Sequence, residues 1–215
     1  VIFLASQSPQ RTMLLNRSGV PHVVVPSRCD EERITSPAAQ ILAIDRAVAK
    51  AQGAELGSYD RSPPCVVLGA DTVVALGREI IGKPRDRADA AAILGRLQGT
   101  THSVITGHCC LLLNQAGAVI KEARGLAIAK VTMRQMSADE IAAYVATGES
   151  DGRAGAYAIQ ESADRYVVDV EGGFDTVVGL HIDTLARLYR ELIDIPLPGY
   201  IPTKGPGSGK YPVQR

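Results

Sequence analysis

The chain opens on an unbroken apolar run, Val1-Ile2-Phe3-Leu4-Ala5, closed by Ser6-Gln7-Ser8-Pro9, after which Met13, Leu14 and Leu15 mark a helical stretch. Ser8 suits an N-cap, Pro9 the first helical turn and Gly19 the stop, so the first unit reads as strand, tight turn, helix. A strand over 22–26 leads to the acidic corner Asp30-Glu31-Glu32, and Ser36-Pro37 opens a second helix running to about Gly53. Residues 59–64 read as a polar loop. Residues 65–76 are strongly β-prone, and Gly77 turns them into Glu79-Ile80-Ile81. Asp86 caps an Ala-rich helix closed by Gly99. Strand-like runs at 103–113 and 118–133, joined by Asn114-Gln115-Ala116-Gly117, predict a long hairpin. Ser137-Ala138-Asp139-Glu140 is a capping box for a helix ending at Gly148. A strand around 166–170 and a last helix over 182–192 complete the pattern. Interleaved helices and strands without repeats predict an α/β or α+β fold around an extended, twisted sheet.

With 215 residues, 46% of them hydrophobic, the chain can build one substantial core. One domain is expected over 1–193, followed by a Pro- and Gly-rich tail over 194–215 expected to be disordered. Lys plus Arg equals Asp plus Glu, 23 against 23, which leaves no overall field to attract nucleic acid or an acidic membrane. An anionic ligand must therefore be held by local groups. No apolar stretch approaches the roughly 20 residues of a membrane span, and no signal peptide is evident, so the cytoplasm is the expected compartment. Cys29, Cys65, Cys109 and Cys110 have no metal-ligand spacing and are expected to be reduced thiols.

Asp71 lies among Val66, Val67, Leu68, Val73 and Val74, where an ionised carboxylate is costly unless a cation accompanies it. Position alone leaves it open between a turn cap beside Gly69 and a functional acid. Lys83, between Gly82 and Pro84 and across one apparent hairpin, can return near Asp71 to meet a phosphate, or be a solvated loop lysine. Ser6-Gln7-Ser8-Pro9-Gln10-Arg11 places hydroxyls, backbone N–H groups and a guanidinium at a helix N-terminus, a geometry that receives phosphate. Glu31 offers a carboxylate to a hard metal. Gln160 carries an amide suited to a base edge. There is no P-loop, HExxH or GxSxG motif.

In order and spacing, Leu4-Ala5-Ser6-Gln7-Ser8-Pro9-Gln10-Arg11, Gly69-Ala70-Asp71-Thr72, Gly82-Lys83-Pro84, the run 97–107, Ala154-Gly155-Ala156-Tyr157-Ala158-Ile159-Gln160 and Val177-Val178-Gly179-Leu180 resemble the Maf family of nucleoside triphosphate pyrophosphatases. The resemblance covers residues 1–192. It implies an elongated α/β fold with a mixed twisted sheet flanked by helices and a cleft between two lobes, related to the inosine triphosphate pyrophosphatases, and a homodimer. It implies hydrolysis of a nucleoside triphosphate to monophosphate and pyrophosphate with a divalent metal, Mg²⁺ or Mn²⁺. By motif, Asp71 is the general base and Asp71 and Glu31 the metal carboxylates. Ser8, Arg11, Lys50 and Lys83 bind phosphates, with Arg46 a rival to Lys50.

Asp71-Thr72 together with Ile159-Gln160 is similar to the branch acting on dTTP and UTP, so Gln10, Thr72 and Gln160 would select the base. Three positions depart from that pattern: Gln10 stands where Arg is usual, Glu161 where Gly is usual, and His181 where Pro is usual. The alternatives are a 7-methyl-GTP pyrophosphatase and a weakly catalytic nucleotide-binding regulator of cell division.

Overall fold

The computed structural model describes residues 1–59 and 63–201. The elements in chain order are β1 (Ile2–Ala5), α1 (Pro9–Arg17), β2 (His22–Val25), α2 (Ala39–Gln52), β3 (Cys65–Leu76), β4 (Glu79–Ile81) and α3 (Arg87–Leu97), then β5 (Thr101–Leu113), β6 (Val119–Met133), α4 (Ala138–Ala146), β7 (Val167–Glu171), α5 (Phe174–Val178) and α6 (Ile182–Ile193). Short 3₁₀ turns occupy Glu31–Arg33, Ala154–Ala156 and Ser162–Tyr166. Asp86 caps α3 by accepting from the Asp89 N–H, and Ser137 and Glu140 form the expected capping box on α4. Ser8 holds the N-cap place of α1 but does not cap it; its hydroxyl donates to Gln10 Oε1 instead. Helix α2 begins at Ala39, two residues beyond Pro37. The short helix α5 carries no apolar periodicity long enough to announce it.

Seven strands form one mixed sheet, ordered β2-β1-β3-β5-β6-β7, with β4 also paired to β3. Strand β5 lies antiparallel against β3 along residues 65–75, so β1 and β4 must share the other edge of β3. Strand β1 runs parallel to residues 66–68 and β4 antiparallel to residues 74–76. Between them, residues 69–73 have no strand neighbour on that edge among the described residues. Asp71 is the middle one. The sheet is therefore split beside Asp71, and the chain leaving β1 and the chain leaving β4 both run toward the split.

Packing on the two sides of the split builds two lobes. On one side, α1 and α6 bury Leu15, Leu185, Leu188 and Tyr189 with Leu4 and Leu68 on one face of the sheet, and α2 buries Ala47 and Ala51 with Phe3, Val67 and Cys109 on the other. On the other side, α3 and α4 bury Leu94, Leu97 and Tyr144 with Val74, Val131 and Tyr166. Cys109 and Cys110 thus face opposite sides of the sheet, and none of the four cysteines is in a disulfide among the described residues. Among the described residues no helix is long and apolar enough to cross a membrane.

Helix α2 approaches the sheet closely because two glycines lie beneath it. A Cβ on Gly69 would stand 2.1 Å from the Ala47 carbonyl oxygen, and one on Gly107 2.3 Å from that of Ala43. Gly107 is the cross-strand partner of Asp71, so the close approach is centred on the split. The small residues Ala43, Ala47 and Ala51, four apart, form the facing helical stripe.

The expected boundary at 194 requires correction. Pro and Gly content suggested disorder, yet Leu197 is buried against the core around α1, with 2% of its surface exposed. The Tyr200 hydroxyl donates to Asp183 at 2.6 Å, and Gly199 packs so tightly on Gly19 that a Cβ there would meet the Gly19 oxygen at 1.9 Å. One apolar side chain with a pocket to fill outweighs composition over so short a segment. The expectations for 60–62 and 202–215 lie outside the described residues.

Two outcomes follow. Gly69→Ala or Gly107→Ala must force α2 off the sheet, and overpacking of this kind costs about 1–3 kcal/mol; urea denaturation will show the loss, and an unchanged midpoint would contradict the close approach. Second, burial holds His102 near a pKa of about 4 and His108 near about 3, below the ordinary 6.5. His108 Nε2 also accepts the His181 N–H and must stay unprotonated to do so. The unfolded chain therefore binds these protons first as pH falls below about 6.5, so the stability is complete above that value and lost toward 4. Between pH 8 and pH 5 each histidine should remove about 2 kcal/mol, read as a falling urea midpoint; a flat profile would contradict it.

Candidate active site

The split opens into a cleft of about 500 Å³, within the range of small-molecule sites. Its walls contain Ser8, Gln10, Arg11, Glu31, Lys50, Asp71, Thr72, Lys83 and Gln160, so all nine residues singled out in the sequence are brought to one place. The topology explains why. The turn after β1 delivers Ser8 and Gln10 at the start of α1, the turn after β4 delivers Lys83, and α2 lowers Lys50 onto the split over its glycine track.

Asp71 is 6% exposed and faces α2. Its Oδ1 accepts from Lys50 Nζ at 2.6 Å, and the same ammonium contacts Glu31 Oε2. Lys83 Nζ takes the other Glu31 oxygen. Arg46 is the weaker neighbour: its Nε and Nη2 donate to the Ile34 carbonyl, and its Nη1 lies 4.0 Å from Asp71 Oδ2. Of the two cations weighed from sequence, Lys50 is the one lining the cleft. Among the described residues Asp71 Oδ2 has no hydrogen-bond partner. Burial raises the Glu31 carboxyl, but the hydrogen bonds and charges of Lys50 and Lys83 outweigh burial and hold it at about 2. Glu31 is therefore ionised throughout the physiological range.

On the opposite face of the sheet, Thr72 belongs to a directed chain of hydroxyls. Thr106 Oγ1 donates to the Thr176 carbonyl at 2.7 Å, so its 2.9 Å contact with Thr72 must be a hydrogen bond donated by Thr72. The Thr72 oxygen keeps lone pairs facing Arg11 Nη2, 3.5 Å away. Arg11 is buried and anchored, with Nε donating to the Gly179 carbonyl at 2.8 Å and Nη1 to Ser6 Oγ at 3.0 Å. Burial pulls its pKa below the ordinary value, with Asp71 and Glu31 opposing. Two of its five N–H groups remain for a ligand.

Beyond Thr72 the wall turns apolar: Val74, Val104, Tyr157, Ile159 and Val178 line it, with Gln160 beside them. The loop carrying Tyr157 and Gln160 is fixed at several points. Gly155 N–H donates to the Gly82 carbonyl, Ala158 N–H to Tyr144 Oη, and Tyr157 Oη pairs with His102 Nε2 at 2.7 Å. Ala156 holds the left-handed region at φ 58 while fully buried, a local strain of the kind that tertiary packing must impose.

Sequence reasoning missed Arg153, which lines the cleft and donates to Glu161 Oε1 at 2.7 Å. Its signal was faint, a cation two residues ahead of Gly155. Cys29 also lines the cleft, but burial raises its thiol pKa with only Lys50 opposing first, so it is a poor nucleophile there. With Arg153 included, the lining carries four cations, Arg11, Lys50, Lys83 and Arg153, against the carboxylates Glu31 and Asp71. In a chain of zero net charge that local surplus marks an anion site.

Comparison with known proteins agrees in extent with this picture. Residues 1–192 match the family model described as Maf-like protein. A dTTP/UTP pyrophosphatase of Aquifex aeolicus (strain VF5) is 39% identical over 89% of this chain and 95% of its own. Another from Anaeromyxobacter sp. (strain Fw109-5) is 40% identical over 97% of this chain and 96% of its own. Among solved structures, a nucleoside-triphosphatase / dITP/XTP pyrophosphatase from Mycobacterium abscessus aligns with 63% of this chain and 74% of its own at 16% identity and a TM-score of 0.35, a likeness too remote to bear on fold or function. With the family model matched from Val1 through Leu192 and relatives near 40% identical along most of both chains, this chain belongs to the Maf family.

Proposed function

We propose that the chain hydrolyses dTTP or UTP between the α- and β-phosphates, releasing the nucleoside monophosphate and pyrophosphate, the activity for which its relatives are named. The observation that carries this reading is the two-sided cleft: cations and two carboxylates gathered at the split, and an apolar wall with amide and hydroxyl groups beside it. A triphosphate suits the first part and a pyrimidine base the second.

The residues fit a divalent metal. Glu31 and Asp71 converge on a single cationic position, that of Lys50 Nζ, and among the described residues Asp71 Oδ2 has no hydrogen-bond partner. Two carboxylates beside a phosphate site are the donor set that Mg²⁺ takes, with Mn²⁺ the alternative. Glu31 and Asp71 would hold it. When bound, the metal offsets charge on the triphosphate and on the departing pyrophosphate.

The chain's own groups do the rest. Lys50 and Lys83 turn from the carboxylates to phosphate oxygens, and Arg11 presents its remaining N–H groups from an anchored position, so little reorganisation accompanies the reaction. Ser8 and the free N–H groups at the start of α1 add donors along the phosphates. Asp71 Oδ2 orients a water and takes its proton as that water attacks the α-phosphorus and pyrophosphate departs. Thr72, Gln160 and Gln10 meet the base side, where Gln10 has its oxygen occupied by Ser8 and offers its NH₂. Four cysteines held as thiols, three of them buried, suit a reducing cytoplasmic setting.

Incubation with a panel of nucleoside triphosphates and Mg²⁺ tests the reading. Pyrophosphate should appear with dTTP and UTP ahead of GTP and 7-methyl-GTP. In Asp71→Asn, kcat should fall about 10²- to 10⁴-fold with the melting transition retained. Near-normal turnover by that folded variant would refute the role of Asp71, and orthophosphate in place of pyrophosphate would refute the cleaved bond. Preference for 7-methyl-GTP would move the substrate assignment, and saturable binding without turnover would favour a regulator.

A further inference from the structure

Of the four cations lining the cleft, three are gathered at the split. Lys50 and Lys83 rest on the carboxylates of Glu31 and Asp71, and Arg11 is anchored by the Gly179 carbonyl and Ser6. Arg153 stands apart. Its guanidinium lines the cleft, whereas its ion-pair partner, Glu161, lies outside the lining. Nη2 donates to Glu161 Oε1 at 2.7 Å, and among the described residues the guanidinium makes no other hydrogen bond. Most of its N–H groups therefore remain for a ligand. The two side chains are 28% and 36% exposed, so the pair is not one of the fully solvated surface pairs that water and salt screen.

The backbone holds both ends of this pair. Arg153 N–H donates to the Ser150 carbonyl, and the Arg153 carbonyl accepts from Ala156. Glu161 N–H donates to the Ala158 carbonyl, and the neighbouring Ser162 gives both its N–H and its hydroxyl to Glu149 Oε2. The ion pair thus closes the loop 153–161 across its base. Within that loop Gly155 N–H donates to the Gly82 carbonyl at 3.2 Å, next to Lys83. Arg153 is two residues from this contact, so Lys83 and Arg153 flank the same rim.

Building on the reading of the cleft as a nucleoside triphosphate site, we infer that Arg153 holds the terminal phosphate and that Glu161 is the positioning residue that holds Arg153. With the α-phosphorus facing Asp71 and the phosphates passing Lys83, the terminal group lies furthest from the split. Arg153 is the cation of the lining that the split does not already engage. A guanidinium offers a fork of N–H groups that matches two phosphate oxygens. Glu161 grips it from outside the lining, which leaves the remaining N–H groups for the cleft side. A free arginine loses rotamer freedom on meeting a ligand, and one already held by a carboxylate loses less. A nucleoside diphosphate has no group to fill this place. The pair therefore selects by phosphate number, whatever the base.

Titration calorimetry of Asp71→Asn with dTTP and with dTDP, each with Mg²⁺, decides the matter, because slow turnover in that variant leaves binding to be read. The parent should bind dTTP more tightly than dTDP by about 10- to 100-fold, the worth of a charge-assisted contact to the terminal phosphate. Adding Arg153→Ala should remove most of that ratio by weakening dTTP alone, and unchanged dTDP binding reports that the site is still folded. Adding Glu161→Ala should cut the ratio about 2- to 10-fold, the cost of ordering a freed side chain. Glu161→Gln removes the same charge but keeps an oxygen for Arg153 Nη2, so it should preserve the ratio. Equal affinity of the parent for the two nucleotides would overturn the proposal. So would a loss shared equally by dTTP and dTDP in Arg153→Ala, which would put that residue on the base or in the fold. Matching ratios in Glu161→Ala and Glu161→Gln would overturn the part given to Glu161. Binding of neither nucleotide by the parent would instead overturn the reading of the cleft, and the proposal with it.

Discussion

Strand β3 is shared on one edge by two strands that never meet, and the site depends on that split. A β-strand keeps its backbone in register with β5 along eleven residues, so it is rigid where its outer edge is bare. Asp71 is thereby held at the centre of the opening by hydrogen bonds that have nothing to do with its side chain. The strands that flank the opening run toward it from opposite directions, and each must turn away as it arrives. Those turns bring Ser8 from one side and Lys83 from the other. A continuous sheet would have buried Asp71 beneath a neighbour, where its charge could not be supported.

The second requirement is a helix close enough to serve that carboxylate. Lysine and arginine side chains are long, yet Lys50 reaches both Asp71 and Glu31 only because α2 rests directly on Gly69 and Gly107. The glycines lack side chains on the face where Asp71 projects, and the alanine stripe of α2 matches them. Packing and electrostatics are thus one arrangement here. The close contact that buries Asp71 also supplies the cation that stands between the two carboxylates. On the far face of the sheet, Thr72 is wired through Thr106 to α5, so the two neighbours on β3 serve opposite halves of one cleft.

Much of this was legible in the sequence because it was local. The apolar run around Asp71, the hairpin through Gly77 and the strand-turn-helix at Ser6-Gln7-Ser8-Pro9 each announce themselves within a few residues. What escaped was non-local. Gly107 read as part of a strand, and nothing nearby shows that a helix sixty residues earlier lies on it. Arg153 became a wall of the cleft only when its loop was pinned to Gly82. Ser8 looked like a cap until Gln10 offered its hydroxyl a partner. Leu197 was hidden in a Pro- and Gly-rich composition, and only the presence of α1 and Gly19 beside it gives that leucine a place to be buried.

Whether the substrate lies in the split of the sheet is decided by the crystal structure of Asp71→Asn with dTTP and Mg²⁺. The triphosphate should occupy the split between Ser8 and Lys83, with its α-phosphorus facing residue 71, and the base should lie against Thr72, Val74 and Val104 on the other face. A nucleotide bound elsewhere on the molecule, or in the cleft with its triphosphate directed away from the split, would contradict this account.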